Sequence, residues 1–362
     1  MHLLNRLCPI LMCCLLGFSA THQAFAQSFA VGIIDQHKTM TIEPDKDGKY
    51  KIVGHNKKTI LDRVDSIKWH NHTYLIVSKK GKMAMYNDAG ECRIPLLYNR
   101  VQPLFNWFWL VEKNGKKGVY SSKGAILLPV QFDDVILPSL VSWIKGADFI
   151  VQNRQQYGIY DGEGKVVVPI EYDKIDLRQN IFILQKGDQK HYLISNRHLI
   201  KEYKVLLPPI RQSIDDYGGH LTYYIVEKEG KYGIIDQEAQ VVIHPQYEEI
   251  SDLSGLFGGK SPALKIKENG KYGIIGINRQ VILPSTFISI ATTNLPSLLT
   301  VQTDQGKQLF RIADRKIIKD YYFDELIVTD YVSTIRKDGV ERKIDNWTGE
   351  IISSTPSQGG EK

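Results

Sequence analysis

Cysteine is scarce in this 362-residue chain: there are four, and three of them, Cys8, Cys13 and Cys14, fall in the opening apolar stretch. Only Cys92 remains beyond it, so no disulfide can form within the rest of the chain and packing has to supply the stability. Cys92 itself is expected to be a buried or idle thiol rather than an intermolecular bridge. Long hydrophobic runs are missing after the first 26 residues, which excludes a transmembrane helix there and makes the remainder an expected soluble protein. Charge of one sign is not concentrated either. The formal net charge is +6, but lysines, glutamates and aspartates are interspersed and no basic run exceeds a pair or triplet, which argues against a nucleic-acid partner. There is no G-x-S-x-G elbow, no phosphate-binding glycine loop leading into a helix and no Cys–His pair. The sequence therefore gives no reason to propose an enzyme or a cofactor.

The first 26 residues read as a secretory signal peptide. Arg6 precedes an apolar run at 7–18, and Ala24-Phe25-Ala26 offers a small-x-small cleavage site, leaving Gln27 as the expected new N-terminus. The run is too short for a good membrane span. Cys13 and Cys14 lie inside it rather than after it, which disfavours lipidation. Export to the periplasm, the outer envelope or the medium follows as an expectation.

Composition permits a folded core, with 43% hydrophobic and 24% charged residues, and the core is organised by a repeat. GKKGVYSSKGAILLPVQFDDV (115–135), QQYGIYDGEGKVVVPIEYDKI (155–175), GKYGIIDQEAQVVIHPQYEEI (230–250) and GKYGIIGINRQVILPSTFISI (270–290) align directly, with a weaker copy GKMAMYNDAGECRIPLLYNRV at 81–101. Counting from an anchor (Ala84, Gly118, Gly158, Gly233, Gly273), an aromatic follows at +14 (Tyr98, Phe132, Tyr172, Tyr247, Phe287) and an aliphatic at +17 (Val101, Val135, Ile175, Ile250, Ile290). A proline stands at +11 or +12. Decayed copies are expected at 47–67, at 187–194 with its anchor near Tyr192, at 306–326 with its anchor at Leu309, and at 338–352, where the C-terminus cuts the last unit short. The total is about nine units of roughly 33–41 residues, within the range of repeat arrays.

Each unit alternates with a period of two and carries Gly-Lys turns, the pattern of β-hairpins. No helix is strongly indicated. The expected fold is all-β: tandem meander or hairpin repeats forming one continuous array over 27–352, open and spiral or propeller-like, with a disordered polar tail at 353–362. The +14 and +17 residues are expected as core plugs between units. Proline is expected to end strand pairing because it has no amide donor. The anchor glycine is expected where the neighbouring unit stacks closely.

The motif G-K-x-G-[IV]-[IY], then a Gly-containing turn, an aliphatic run, Pro and Tyr/Phe with following acids, resembles the WG-repeat (KWG-type) family of bacterial proteins over roughly 48–350. No Trp-Gly dipeptide is present; Met83, Lys117, Tyr157, Tyr232 or Tyr272 precedes the anchor. The resemblance implies a non-catalytic repeat scaffold.

Other constellations have bland readings. The acids Asp133-Asp134, Asp173, Glu248-Glu249 and Asp324-Glu325 recur at one repeat position, and one active site needs only one pair, so they read as solvated loop acids. His70 and His72 lack further metal ligands at usable spacing. Asp161-Gly162-Glu163-Gly164 lacks a full calcium-ligand set and reads as a turn. Trp107, Trp109, Tyr321 and Tyr322 are candidate binding aromatics if exposed and core plugs if buried. The leading functional expectation is an exported scaffold that binds a protein or peptide in the bacterial envelope. A glycan-binding protein using exposed aromatics is the alternative, and a propeller-type hydrolase or lyase a third.

Overall fold

A computed structural model describes residues 40–105, 107–138, 148–214, 219–258, 262–295, 297–318, 321–329, 331–346, 348 and 350–356. The expected signal peptide lies outside them. The described residues form nine antiparallel sheets in chain order. They span 40–64, 66–98, 100–132, 134–172, 174–200, 204–247, 249–287, 289–317 and 325–356, here sheets 1 to 9. Among the described residues there is no α-helix, only single 3-10 turns at Lys46–Gly48 and Ser195–Arg197. Most sheets have four strands; sheet 1 has three and sheet 6 has five. The decayed copy at 47–67 falls in sheets 1 and 2, that at 187–194 in sheet 5, that at 306–326 in sheet 8 and the start of sheet 9, and that at 338–352 in sheet 9.

The chain divides into two compact units. One takes in the described residues up to Asn114 with Val119–Ile126; the other has Gly115–Gly118 and the residues from Leu127 onward. The division falls within sheet 3.

The strands of a sheet are joined as hairpins. In sheet 7, Ala263–Glu268 pairs with Lys271–Gly276 across Asn269-Gly270, whose φ values of 51° and 73° are both positive. That is the two-residue turn whose twist matches the strands, and Asn-Gly is its preferred pair. The third strand is buried in consecutive residues, as at Gly233, Ile234 and Ile235. Ile234 packs with Ile250, Leu264 and Ile266 of sheet 7, whereas Ile235 packs with Ile181 and Tyr192 of sheet 5. Neighbouring sheets thus cover both faces, which explains the unbroken apolar runs.

At every junction except those from sheet 5 to 6 and from sheet 8 to 9, one residue carries the chain from sheet to sheet. Phe132 ends sheet 3 and Asp134 begins sheet 4; Tyr172 and Lys174, Tyr247 and Glu249, and Phe287 and Ser289 repeat the step. The intervening amide already bonds the next sheet: Asp133 donates to Gln152 O at 2.8 Å, Asp173 to Gln185 O at 2.8 Å, Glu248 to Lys267 O at 2.9 Å and Ile288 to Gln302 O at 2.8 Å. The aromatic at +14 is therefore the last residue of one sheet, and the aliphatic at +17 the second of the next. Tyr98, Phe132, Tyr172, Tyr247 and Phe287 are all buried.

Three expectations need correction. Proline does not end the strand. Fourth strands such as Val166–Tyr172 run through it, and pairing skips from Ile159↔Val168 to Tyr157↔Tyr172. Pro169 sits in this bulge, where no ladder donor is needed. The anchor glycine faces the same bulge within its own sheet, not a neighbouring unit. A Cβ on Gly233 would stand 2.5 Å from Ile243 O and 2.7 Å from Pro245 N; Gly118 and Gly158 meet Leu128 O and Val168 O in the same way, and Gly273 meets Leu283 O. The close approach between sheets occurs instead at the next turn. There a Cβ on Gly124 would lie 2.8 Å from Arg93 O of sheet 2, and one on Gly164 would run into Leu127 O of sheet 3. Finally, the last unit is not cut short: Ile351–Pro356 pairs with Val340–Asp345, so residues 353–356 of the expected tail are strand, while 357–362 lie outside the described residues.

Replacing Gly233 by Ala should cost about 1–3 kcal/mol, the range for a forced backbone shift in a packed interior. Gly255→Ala, at a glycine with open space around its Cβ position, should stay within about 0.5 kcal/mol. Urea denaturation of the two variants checks the contrast, and equal losses would contradict the bulge account.

Candidate functional site

The candidate aromatics separate. Trp109 is a core residue at 1% exposure, held edge-on by His70 and Tyr74 at 5.2 and 5.4 Å between ring centroids. Trp107 is exposed at 66%, so the two do not form a ladder. Tyr321 and Tyr322 are half-buried, with Arg342 4.8 Å from the Tyr321 ring centroid and Lys337 5.2 Å from that of Tyr322. Cys92 is exposed, not buried; local burial nevertheless raises its thiol pKa, and the thiol contacts Ile94 O at 3.5 Å.

The recurring acids are structural caps. The Asp133 carboxylate accepts the Arg154 amide at 2.7 Å, Asp173 accepts that of Gly187 at 2.7 Å, and Asp65 accepts that of Lys80 at 2.7 Å. At these three crossings the acid thus fastens the hairpin tip of the sheet it enters. The Lys116 ammonium bonds Asp133 and holds its carboxyl below the usual range. Asp134 takes Lys117 at 2.7 Å, and Glu249 accepts the Tyr272 hydroxyl at 3.0 Å. Asp161 closes its turn by accepting the amides of Glu163 and Lys165, and with Asp148 it clasps Arg197 at 3.1 and 2.9 Å. No cluster of three or more His, Cys, Asp or Glu able to hold a metal occurs among the described residues.

The repeat rule breaks in sheet 5 and again in sheet 8, whose fourth strand is only Lys316–Ile317. By the hairpin register of sheet 5 the anchor position is His191, one residue before the expected Tyr192: Lys186↔Gln189 flanks the turn as Lys228↔Lys231 does in sheet 6. In sheet 8 the same comparison, Thr303↔Gly306, moves the anchor from Leu309 to Gln308. The fourth strand of sheet 5 is only Leu199–Ile200 and pairs with Tyr192 and Leu193 alone. No bulge returns over the anchor, so a side chain fits where glycine is needed elsewhere. The His191 imidazole is buried, and its Nδ1 lies 3.0 Å from the Tyr172 hydroxyl. Burial first, then Lys201 and Lys186, lower its pKa, which leaves the ring neutral at pH 7 and able to accept the Tyr172 O–H.

The missing outer strand leaves a cleft of about 820 Å³. It is lined by Asp188, Lys190 and His191 from one segment and by Lys201, Glu202 and Lys204 from another. Lys204 reaches Glu227 at 3.6 Å, while Lys190 and Lys201 have no ion-pair partner among the described residues. A second cavity, about 340 Å³, lies between sheets 6 and 7 beside Tyr223, Gln237 and Ile277. Sequence reading missed the first cleft because it is defined by a strand that stops. The available signal was the lack of a Pro-x-x-aromatic run after Ile200.

The His191 ring should titrate below its ordinary 6.5, and Lys201→Glu should raise that pKa. With the folded pKa depressed, the unfolded chain binds the extra proton first, so this group lowers stability as pH falls through the ordinary histidine range. NMR titration of the imidazole checks both; a value at or above 6.5 would contradict the burial.

Among solved structures, a eukaryotic initiation factor aligns at 9% identity over 87% of this chain and 95% of its own, with a TM-score of 0.28. Sqt1 of Saccharomyces cerevisiae aligns at 10% over 80% and 84%, TM-score 0.25. PorZ, a surface component of the type-IX secretion system of Porphyromonas gingivalis, aligns at 12% over 86% and 51%, TM-score 0.19. Likenesses this loose carry no functional weight. No curated protein matches the chain. The model of the WG-containing repeat family matches residues 157–189 and 232–258. Both segments run from the residue before the anchor, through the fourth strand and the crossing, into the next sheet. The WG-containing repeat is thus matched at two segments of this chain.

Proposed function

We propose that the protein is an exported, non-catalytic repeat scaffold that binds a protein or peptide partner in the bacterial envelope. The observation behind this reading is an aliphatic side chain left exposed at one repeat position. It opens the last strand of sheets 3, 4, 6 and 7: Ile126 at 61%, Val166 at 58%, Val241 at 38% and Val281 at 63% exposure. A reaction centre needs one constellation, whereas a surface feature that recurs in four sheets suits docking on a repeat surface. The proposed export rests on the leader sequence at 1–26. No described helix is long and apolar enough to cross a membrane.

The glycan reading loses its ladder with Trp109 in the core. The hydrolase reading loses its candidate carboxylates to hairpin tips and ion pairs. A photo-crosslinking residue placed in turn at Val166, Val241 and Val281 of the tagged protein in cells should capture one saturable envelope protein. Capture of none, together with co-sedimentation on purified envelope glycan, would overturn the scaffold reading.

A further inference from the structure

We propose that sheet 9 is a built-in cap: the face it turns away from sheet 8 is made for water, and it keeps a further sheet, above all one from a second copy of this chain, from stacking there. The inference goes beyond the scaffold reading and does not depend on it.

One repeat position carries the argument. The residue after the anchor faces the sheet that follows. It is Ile159 in sheet 4, packed with Phe182 and Leu184 of sheet 5, and Tyr192 in sheet 5, packed with Tyr224 and Val226 of sheet 6. In sheet 6 it is Ile234, against Leu264 and Ile266 of sheet 7. In sheet 7 it is Ile274, against Leu299 and Val301 of sheet 8. In sheet 8 it is Leu309, against Ile335 and Ile344 of sheet 9. All five are buried. In sheet 9, Lys337↔Val340 flanks the turn as Glu268↔Lys271 does in sheet 7. The anchor is therefore Arg342, and the residue after it is Lys343, which is exposed. The next residue, Ile344, is fully buried against sheet 8. Sheet 9 thus keeps the half of the rule that joins it to the sheet behind and drops the half that would join it to a sheet ahead.

The rest of that face agrees. The rung of Lys343 runs Ile327, Thr334, Lys343 and Ser353 across the four strands. The adjoining rung sets Arg336 between Glu325 and Glu341, which it bonds at 3.2 and 2.9 Å. Ile327 and the half-buried Val332 are apolar members of the face, too few to make a core. A sheet stacked here would take these charges out of water, which is costly for any charge left unpaired, and Lys343 has no ion-pair partner among the described residues. A polar outer face is what a terminal unit of a repeat array needs, because an apolar one would bind the next array.

The test uses the full-length protein. Acylation of native lysines with N-hydroxysulfosuccinimide acetate, read by mass spectrometry, should modify Lys343 as fast as the exposed Lys58 and faster than Lys265, whose side chain is 23% exposed. The double variant Thr334→Ile/Lys343→Ile gives the rung the isoleucine pair that Ile225 and Ile234 make in sheet 6. Sedimentation velocity should show it associating as concentration rises, while the parent and Lys58→Ile each keep one sedimentation coefficient. Labelling of Lys343 no faster than that of Lys265 overturns the proposal, as does a double variant that melts higher without a change in mass, since both mean that the face is already covered. A double variant that stays at the parent's mass and stability, or a Lys58→Ile control that associates equally, overturns it too, because polarity at this face would then not be what keeps copies apart. If the double variant fails to fold, the labelling of the parent decides alone.

Discussion

The architecture depends on a crossing one residue long. A link this short cannot let successive sheets drift, because its own amide is bonded to the sheet ahead while its preceding aromatic is still paired in the sheet behind. Tyr172 and Asp173 show the pair of roles. Tyr172 closes the ladder opposite Tyr157, while Asp173 bonds Gln185 O with its amide and the next hairpin tip with its carboxylate. Buried aromatic, bonded amide and capping acid occupy adjacent positions, so each repeat carries its own docking instructions. The apolar consequence is that Ile234 and its neighbour Ile235 enter different cores, one shared with the following sheet and one with the preceding sheet.

The same geometry explains where the rule may be broken. An anchor glycine is needed only when a bulged fourth strand presses a carbonyl against it, as at Gly118, Gly158, Gly233 and Gly273. Ala84 occupies the position in sheet 2 with no exposed surface, so the bulge can open by a methyl group. Where the fourth strand stops early, the constraint is lifted altogether, and His191 fills the space and reaches Tyr172. Sheet 5 is therefore a unit with room for a larger side chain at its anchor. Local departure from an otherwise consistent pattern is where function is expected to lie.

Much of this was legible in the sequence. The +14 aromatic and +17 aliphatic spacings located the crossing and five of the units, and the weaker copies placed the others within a residue or two. The proline and anchor glycine were misread, because a linear spacing cannot tell a strand that ends from one that bulges. Both require the partner strand to be seen. The acids are solvated as expected, with Asp173, Asp324 and Glu325 exposed, but their capping role is hidden in the sequence because targets such as Arg154 N for Asp133 lie some twenty residues away across a turn. One sequence signal went unused: VGIIDQ at 31–36 nearly repeats YGIIDQ at 232–237, although those residues lie outside the described part of the chain. Trp107 and Trp109 could not be separated by composition, since adjacent alternate positions on a strand reach different environments only once the turn at its end is known.

Residue-resolved hydrogen exchange of the crossing amides is the most direct test. The account predicts that the N–H groups of Asp133, Asp173, Glu248 and Ile288 are protected to the same degree as the strand centres at Ile159, Ile234 and Ile274, because each is a ladder bond of the sheet ahead. Exchange of those four at the rate of exposed turn amides such as Gln155 or Asp188 would contradict it, and would mean that successive sheets are joined by slack linkers rather than by a fixed one-residue step.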